Sequence, residues 1–137
     1  MITNRAPAPT RPRSPGGLTA YPTAAAAFKA WMDQFTAKEW DAQYATLLSA
    51  QQKLISQKQY RTCRSISTPT IKWVKVLSVQ DTGLTSVPGT ILKLPSTKVT
   101  AQVSANGIKV PADAHMFLEN GQWKWIMTQE NLDGCKA

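Results

Sequence analysis

The sequence predicts an α+β domain in which N-terminal helices pack on a curved antiparallel β-sheet. Apolar residues recur at helical spacing in the first half of the chain, and a run rich in β-branched residues follows residue 70. Two Asn-Gly dipeptides, Asn106-Gly107 and Asn120-Gly121, then separate runs in which apolar and polar residues alternate. Asn-Gly favours the type I′ turn of a two-residue hairpin, because both central residues need φ > 0. Helices followed by strands are typical of the α+β class.

The chain is expected to divide into a tail, residues 1–20, and a single domain, residues 21–137. The tail contains four prolines, two glycines and three arginines without apolar periodicity, so we predict a disordered tail or linker. The rest of the chain is long enough to enclose one hydrophobic core. No apolar run approaches the roughly 18–20 residues that a bilayer-spanning helix needs, and we predict no transmembrane segment.

The helical half is predicted to contain two longer helices and two short helical turns. Apolar stripes at helical spacing place the first helix over residues 23–36 and the second over residues 38–48. Ser49 and Ser56 each precede a glutamine by three residues, which is the capping-box pattern, so a helical turn is expected to begin at each.

A first strand is predicted over residues 71–79, where β-branched residues are frequent. Residues 81–96 contain two prolines and two glycines, and we predict a long loop there with a short edge strand around residues 91–94. The chain is expected to end in a polar tail from Gln129.

The two Asn-Gly turns fix the register of a predicted three-stranded meander, in which Leu118 faces Trp123 and Met116 faces Trp125. Pro111 has no N–H for the ladder and predicts a bulge or kink. One face then collects the apolar side chains of Val99, Ala101, Val103, Val110, Ala112, Ala114, Met116, Leu118, Trp123, Trp125 and Met127. The other face is mostly polar and carries, among others, Asp113, His115, Phe117, Lys124 and Ile126.

The net charge of the chain is +8 at pH 7, and its pI is about 9.8. The basic residues are scattered along the sequence without a Lys/Arg block, and no nucleic-acid-binding motif is present. A basic balance of this kind influences solubility and attraction to anions, not fold. We therefore predict no specific nucleic-acid partner.

The two cysteines, Cys63 and Cys135, have neither metal-site nor Cys-x-x-Cys spacing. A free buried pair and a disulfide are both compatible with the sequence. The disulfide is favoured because Cys135 lies in a polar terminal segment, where a lone thiol would be exposed. A disulfide would place the protein in an oxidising compartment, so we expect it to be secreted or anchored to the cell envelope. No apolar signal segment follows Met1, and a leader is expected to have been removed or replaced.

Two stretches of the chain carry a resemblance to a known superfamily. They are Ala27-Phe28-x-x-Trp31 with Trp40-Asp41-x-x-Tyr44-x-x-Leu47-Leu48-Ser49 and Ile55-Ser56-x-x-x-Tyr60, and the closing Glu119-Asn120-Gly121-Gln122-Trp123-Lys124-Trp125. They resemble the nuclear transport factor 2-like domains, which are cystatin-like α+β cones. The first stretch is most similar to secreted and lipid-anchored actinobacterial members and to the extracytoplasmic domain that precedes some penicillin-binding modules. The resemblance covers residues 22–130 and implies the fold, whereas this superfold hosts enzymes, binding modules and spacers alike.

In the enzymatic relatives, Asp, Tyr or His side chains project into the cone. The predicted register places only apolar side chains on the sheet face that the helices cover, with Asp113 and His115 on the opposite face. We therefore predict no catalytic residue in the meander. The remaining candidates are Asp33, Asp41, Tyr44, Tyr60 and Lys75. No nucleophile motif, phosphate loop or metal-ligand cluster is present, so neither a cofactor nor a metal site is predicted.

Aromatic and apolar side chains are predicted to meet inside the cone, where they either line a pocket for a small apolar ligand or fill the core. The predicted pocket residues are Trp31, Phe35, Tyr44, Trp73, Met116, Trp123 and Trp125.

We therefore predict a non-enzymatic extracytoplasmic binding or interaction domain. One alternative is a small isomerase- or dehydratase-type enzyme that uses Asp33 or Tyr44. Another is a structural subunit of a secretion or conjugation assembly in the cell envelope. Members of the superfamily that the chain resembles often dimerise through the outer face of the sheet, so the resemblance implies a weak homodimer there, at Phe117 and Ile126.

Overall fold

Five helices and four strands make up residues 21–66 and 70–137, the part of the chain that this computed structural model describes. In chain order they are α1 (Ala24–Thr36), α2 (Trp40–Ala45), α3 (Ser49–Gln52), α4 (Gln57–Arg64), β1 (Ile71–Ser86), β2 (Lys93–Ala105), β3 (Ile108–Glu119), β4 (Gln122–Lys124) and α5 (Gln129–Lys136). The strands form one antiparallel sheet in the order β1-β2-β3-β4, with helices packed on it, which confirms the α+β class. The predicted tail, residues 1–20, lies outside the described residues.

Helix α1 has nearly the predicted bounds. Thr23 is its N-cap, and the Thr23 side-chain oxygen accepts a hydrogen bond from the Ala26 N–H at 3.0 Å. At α4 the predicted capping box is present, because Ser56 and Gln59 exchange side-chain to backbone hydrogen bonds. The capping box predicted at Ser49 is wrong. Leu48 is the N-cap of α3, and the Ser49 hydroxyl instead donates to the Glu119 carboxylate at 2.6 Å.

The predicted loop over residues 81–96 is wrong, because β1 and β2 form one long hairpin through this region. Their pairing extends from Ile71 opposite Ala105 to Ser86 opposite Lys93, and residues 87–92 connect the strands. Three register shifts leave one extra β1 residue each, at Val74, Leu77 and Thr82. A bulge bends a strand without ending it. The turn-forming sequence around Gly83, whose φ is +67°, is therefore absorbed into the strand.

Between β2 and β3 the Asn106-Gly107 turn forms as predicted, with φ angles of 52° and 80°. The register has no shift at Pro111, which lies opposite Gln102, so the predicted bulge is wrong. Among the described strands, only β2 pairs with this part of β3. Proline is tolerated there because an edge strand does not need every N–H in its ladder.

Strand β4 is shorter than predicted. The Asn120-Gly121 turn sets the expected register, with Leu118 opposite Trp123, but pairing ends at Phe117 opposite Lys124. The predicted pairing of Met116 with Trp125 does not form.

The backbone of Trp125 bonds to the helical half of the chain instead. The Trp125 N–H donates to Thr46 O at 3.1 Å, and the Leu48 N–H donates to Trp125 O at 2.9 Å. Leu47 and Trp125 form a parallel bridge between these bonds. Helix α2 ends at Ala45 rather than at the predicted residue 48, and the backbone of Thr46 and Leu48 is used for this pairing.

The predicted polar tail is wrong, because residues 129–136 form α5. Thr128 caps this helix by accepting a hydrogen bond from the Asn131 N–H at 3.2 Å. Leu132 and Cys135, three residues apart on one face, are buried. Cys135 forms the predicted disulfide with Cys63 of α4, with a Cα–Cα distance of 5.1 Å. None of the helices in the described ranges is long and apolar enough to cross a membrane.

The main core lies between the helices and one face of the sheet. Its largest contributors are Phe28, Met32, Leu47, Ile55, Tyr60, Val99, Val103, Met116, Trp125, Met127 and Leu132.

Phe117 corrects the prediction of an exposed outer face, because it is 1% exposed and packs with Leu48 and Val87 in a second cluster. Phe117 lies beyond the last β2–β3 pair, and Leu94 and Ile126 also pack against this cluster. Leu118, predicted on the apolar face, is instead 61% exposed. The predicted dimer surface at Phe117 and Ile126 therefore has no exposed Phe117 side chain.

Candidate ligand-binding cavity

The candidate site is a cavity of about 670 Å³ beside the open edge of β3. Because the chain leaves β3 after Lys124, no strand of the described residues continues β4 alongside Ala112 and Ala114. The cavity lies between this edge, one face of α1 and the segment that leads into α5. The short β4 is therefore what leaves space in the fold.

One wall of the cavity is aromatic and comes mainly from α1. Phe28, Trp31, Met32 and Phe35 follow the spacing that places helical residues on one face. The Trp31 and Phe35 rings stack with centroids 5.4 Å apart and planes 5° apart. Trp125 continues this wall, with its ring centroid 5.5 Å from that of Trp31.

The facing wall is formed by small residues. Ala112 and Ala114 line the cavity from β3, and both lie on the sheet face that packs against the helices. Their methyl groups leave the space that larger side chains would fill. Asp113 and His115 also border the cavity at this edge.

Arg64, near the end of α4, is the cationic residue among those that line the cavity. Its guanidinium carbon lies 5.7 Å from the Phe35 ring centroid and 5.3 Å from that of Tyr60, which is cation–π geometry. The Arg64 Nε is buried and has no hydrogen-bond partner within the described part of the chain, and the same holds for Trp31 Nε1.

Gln43, which is fully buried, fixes three aromatic residues around the cavity. Its amide nitrogen donates to Trp31 O at 3.0 Å, and its side-chain oxygen accepts from the Tyr60 hydroxyl. The Gln43 backbone carbonyl accepts from Trp125 Nε1 at 2.8 Å. Burial raises the pKa of Tyr60 to about 12, against the opposing effects of the nearby Arg64 charge and hydrogen bond. Tyr60 is therefore a neutral hydrogen-bond donor at physiological pH.

Gln51 holds the segment that borders the cavity on the side of α5. Its side-chain oxygen accepts from the Met127 N–H at 2.7 Å, and its amide nitrogen donates to Met127 O and Pro88 O, each at 3.1 Å. These two bonds to Met127 replace the ladder bonds that a longer β4 would have made to β3.

Comparison of the chain with protein-family models, curated proteins and solved structures finds no significant match. A functional assignment therefore depends on the geometry of this cavity and on the chemistry of the residues around it.

Three of the predicted pocket residues, Trp31, Phe35 and Trp125, line the cavity. The other four pack elsewhere. Trp73 meets Phe28 edge-on at 5.4 Å, Met116 is buried in the core and Trp123 is half-buried against it. The Tyr44 hydroxyl donates to the carbonyls of Gln52 and Ile55.

Several residues that line the cavity are not among the pocket residues predicted from the sequence. Phe28 and Met32 belong to the α1 apolar stripe, so their spacing carried a usable signal. The sequence gives no signal for Arg64, because a single basic residue near a helix end is common. Met127 lines the cavity only because the chain leaves β3 at Trp125.

The candidate catalytic carboxylates on the helices lie outside the cavity in exposed ion pairs. Asp33 accepts from Lys29 at 2.8 Å, and Asp41 accepts from Arg61 at 2.9 Å. Lys75 is exposed on β1. Within the described ranges, no group of three or more His, Cys, Asp or Glu residues is arranged to hold a metal ion.

The side chains of Asp113 and His115 are engaged on the polar face of the sheet. Asp113 accepts from the Thr100 hydroxyl at 2.7 Å, and its other oxygen lies 3.7 Å from the Lys98 nitrogen. His115 Nδ1 lies 3.1 Å from the hydroxyl of Ser96, a buried residue. The two side chains therefore bond to separate β2 partners rather than to each other.

Proposed function

We propose that this protein is a non-enzymatic binding domain that holds a small apolar ligand in the cavity beside β3. The observation that carries the proposal is a space of about 670 Å³ walled by Phe28, Trp31, Phe35 and Trp125. Small-molecule sites are typically clefts of roughly 300–1,000 Å³ lined by apolar and aromatic side chains with few polar groups. The volume of the cavity lies within that range, and most of its lining residues are apolar.

Binding is favoured over catalysis by the positions of the candidate acids and bases. Asp33 and Asp41 are in exposed ion pairs, and the Tyr44 hydroxyl is occupied by two backbone carbonyls. An isomerase- or dehydratase-type reaction would need such a group within reach of the substrate. Asp113 and His115 border the cavity, but their side chains bond to Thr100 and Ser96 of β2. The alternative enzymatic function therefore has weaker support.

The proposal includes an extracytoplasmic location and the nuclear transport factor 2-like fold. The Cys63–Cys135 disulfide supports the location, because disulfides persist in oxidising compartments. The order of helices before a curved sheet and the closing Glu119–Trp125 stretch support the fold family.

A second candidate function, an interaction module in an envelope assembly or a homodimer, is favoured by β1. Val76, Leu77 and Val79 are 41%, 49% and 54% exposed on this outer strand, and exposed apolar clusters often mark interaction sites. If they mediate self-association, Leu77→Lys will lower the apparent mass in sedimentation equilibrium, whereas an unchanged mass would reject a role for β1.

The cavity proposal is tested by titration with N-phenyl-1-naphthylamine, a neutral apolar dye whose emission rises in apolar sites. We expect saturable binding by the wild type. Ala114→Phe should weaken binding about tenfold or more, because the new ring occupies the space opposite Trp31. Ala42→Phe adds the same ring at an exposed position on α2 and should leave binding unchanged. Equal binding by both variants, or no binding by the wild type, would reject the proposal.

A further inference from the structure

Within residues 21–66 and 70–137, two buried N–H donors without an acceptor belong to residues that line the same cavity. They are Arg64 Nε and Trp31 Nε1. Both residues contact Phe35, since the Trp31 ring stacks on it and the Arg64 guanidinium lies 5.7 Å from its centroid. A buried donor with no acceptor is unfavourable, and native structures leave few of them. A ligand that carries acceptor oxygens would satisfy both.

The charge of Arg64 also lacks a carboxylate partner in the structure. The ion pairs within the described ranges are Lys29–Asp33, Arg61–Asp41 and Lys98–Asp113. Arg64 instead lies against the rings of Phe35 and Tyr60 and forms a hydrogen bond with the neutral Tyr60 hydroxyl, and neither neighbour contributes a full negative charge. The Arg64 side chain is half-buried, and a guanidinium matches a carboxylate through parallel hydrogen bonds.

We propose that the cavity takes an amphipathic anion, whose carboxylate is bound by Arg64 and Trp31 and whose apolar body packs along Phe28 and Trp125. This inference rests on the proposed binding function and narrows its ligand class. Ala112 and Ala114 leave space for the body opposite the aromatic wall. The net charge of +8 favours the approach of an anion over that of a cation. Fatty acids and aromatic carboxylates share this chemistry.

The first experiment compares charged and neutral ligands of matched shape on the wild-type protein by displacement of N-phenyl-1-naphthylamine and by calorimetry. The pairs are octanoate with 1-octanol, and 2-naphthoate with 2-naphthol. We expect at least one carboxylate to bind about tenfold more tightly than its alcohol, as one charge-assisted hydrogen bond would provide. The pair that binds more tightly identifies the body as aliphatic or aromatic.

The second experiment removes the cation. Arg64→Gln should abolish the preference for the carboxylate, so that the carboxylate and the alcohol of a pair bind with similar affinity. Arg61→Gln is the matched control, because it makes the same charge change one turn earlier on α4, at an exposed residue outside the cavity. It should keep the preference. Trp31→Phe removes the second donor and retains an aromatic ring, and we expect it to weaken carboxylate binding about threefold to tenfold.

The outcomes separate this inference from the function on which it rests. Binding of the alcohols as tight as that of the carboxylates would overturn the anion inference and leave the apolar-ligand function standing. Failure of all four compounds and of the dye to bind would overturn the proposed function itself. The wild-type comparison needs no variant, so it decides the question even if Arg64→Gln fails to fold, which near-ultraviolet circular dichroism would show.

Discussion

At the residue scale, Gln43 shows how a polar side chain organises an apolar cavity. Its amide and backbone carbonyl bond to Trp31, Tyr60 and Trp125, which belong to three separate elements or segments. The side chain is fully buried, and both ends of its amide have partners. A buried network that is fully satisfied holds its members in one arrangement.

Gln43→Leu should therefore destabilise the protein by about 1–3 kcal/mol, because the buried Tyr60 hydroxyl loses its acceptor and the side-chain hydrogen bond from Gln43 to Trp31 O is removed. Urea unfolding followed by tryptophan fluorescence measures the loss. Gln57→Leu, at an exposed position in the first turn of α4, should change stability by no more than about 0.5 kcal/mol. Equal losses for the two variants would show that the Gln43 network does not stabilise the fold.

Tyr60 predicts a loss of stability in alkali. Burial raises its pKa to about 12 in the folded protein, above its ordinary value of 10.0. The folded chain therefore holds the Tyr60 proton more tightly than the unfolded chain does. The contribution of Tyr60 to the free energy of unfolding is fully present below pH 10 and is lost as the pH rises from about 10 to 12. A difference of two pKa units corresponds to about 3 kcal/mol.

The measurement is the free energy of unfolding between pH 8 and pH 12 for the wild type and for Tyr60→Phe. The variant should lose less stability over this range, because it has no phenol to ionise. Lys124 has the opposite effect on stability as the pH rises. Burial lowers the pKa of Lys124, so loss of its proton favours the folded chain. It is present in both proteins and cancels in the comparison. Parallel curves for the two proteins would contradict the assignment.

At the element scale, the length of β4 is decided by competition between two partners for residues 125–127. Strand β3 offers a ladder, whereas the helical half offers the backbone of residues 46–48 and the side chain of Gln51. Residues 125–127 bond to the helical half rather than to β3, and the edge of β3 that is left unpaired borders the cavity.

Gln51→Leu should release this segment, because the Met127 N–H and carbonyl lose their partners. We expect faster amide hydrogen exchange at Met127 and a stability loss of about 2–3 kcal/mol. Gln52→Leu is the control, since Gln52 donates to Tyr44 O and does not contact Met127. Unchanged exchange at Met127 in Gln51→Leu would mean that other contacts hold the segment in place.

The same competition explains which elements could be predicted from the sequence. Both Asn-Gly turns and the α1 stripe depend on neighbouring residues alone, and the sequence predicts the two turns and the bounds of α1 closely. The end of β4 depends on Thr46, Leu48 and Gln51, which are about 75 positions away in the chain. Asp81-Thr82-Gly83 predicts a turn locally, but pairing with β2 converts it to a bulge.

For the candidate site too, the sequence predicts the residues that depend on local spacing and misses those that depend on packing. Trp31 and Phe35 were found because α1 periodicity defines one face of a helix. Arg64 was missed because its place in the cavity depends on how α4 packs, for which a single basic residue gives no pattern.

At the scale of the whole molecule, the disulfide joins the helical half to the end of the chain. Cys63 and Cys135 are 72 positions apart, and all four strands lie between them. A cross-link over a loop of this length reduces the conformational entropy of the unfolded chain. On a chain-entropy estimate, this adds about 4 kcal/mol to the free energy of unfolding. It also ties α5 to α4, so that Gln129 and Asn131 stay beside the cavity that Arg64 lines.

Replacement of both cysteines by alanine should therefore lower the free energy of unfolding by about 4 kcal/mol and weaken dye binding as well. Stability falls because the unfolded chain gains freedom, whereas binding falls because α5, now held to α4 by packing alone, positions its part of the cavity less firmly. Urea unfolding and dye titration separate the two effects. Reductant should reproduce both in the wild type and have no effect on the double variant. If stability falls while dye binding is unchanged, the disulfide stabilises the fold but does not shape the cavity.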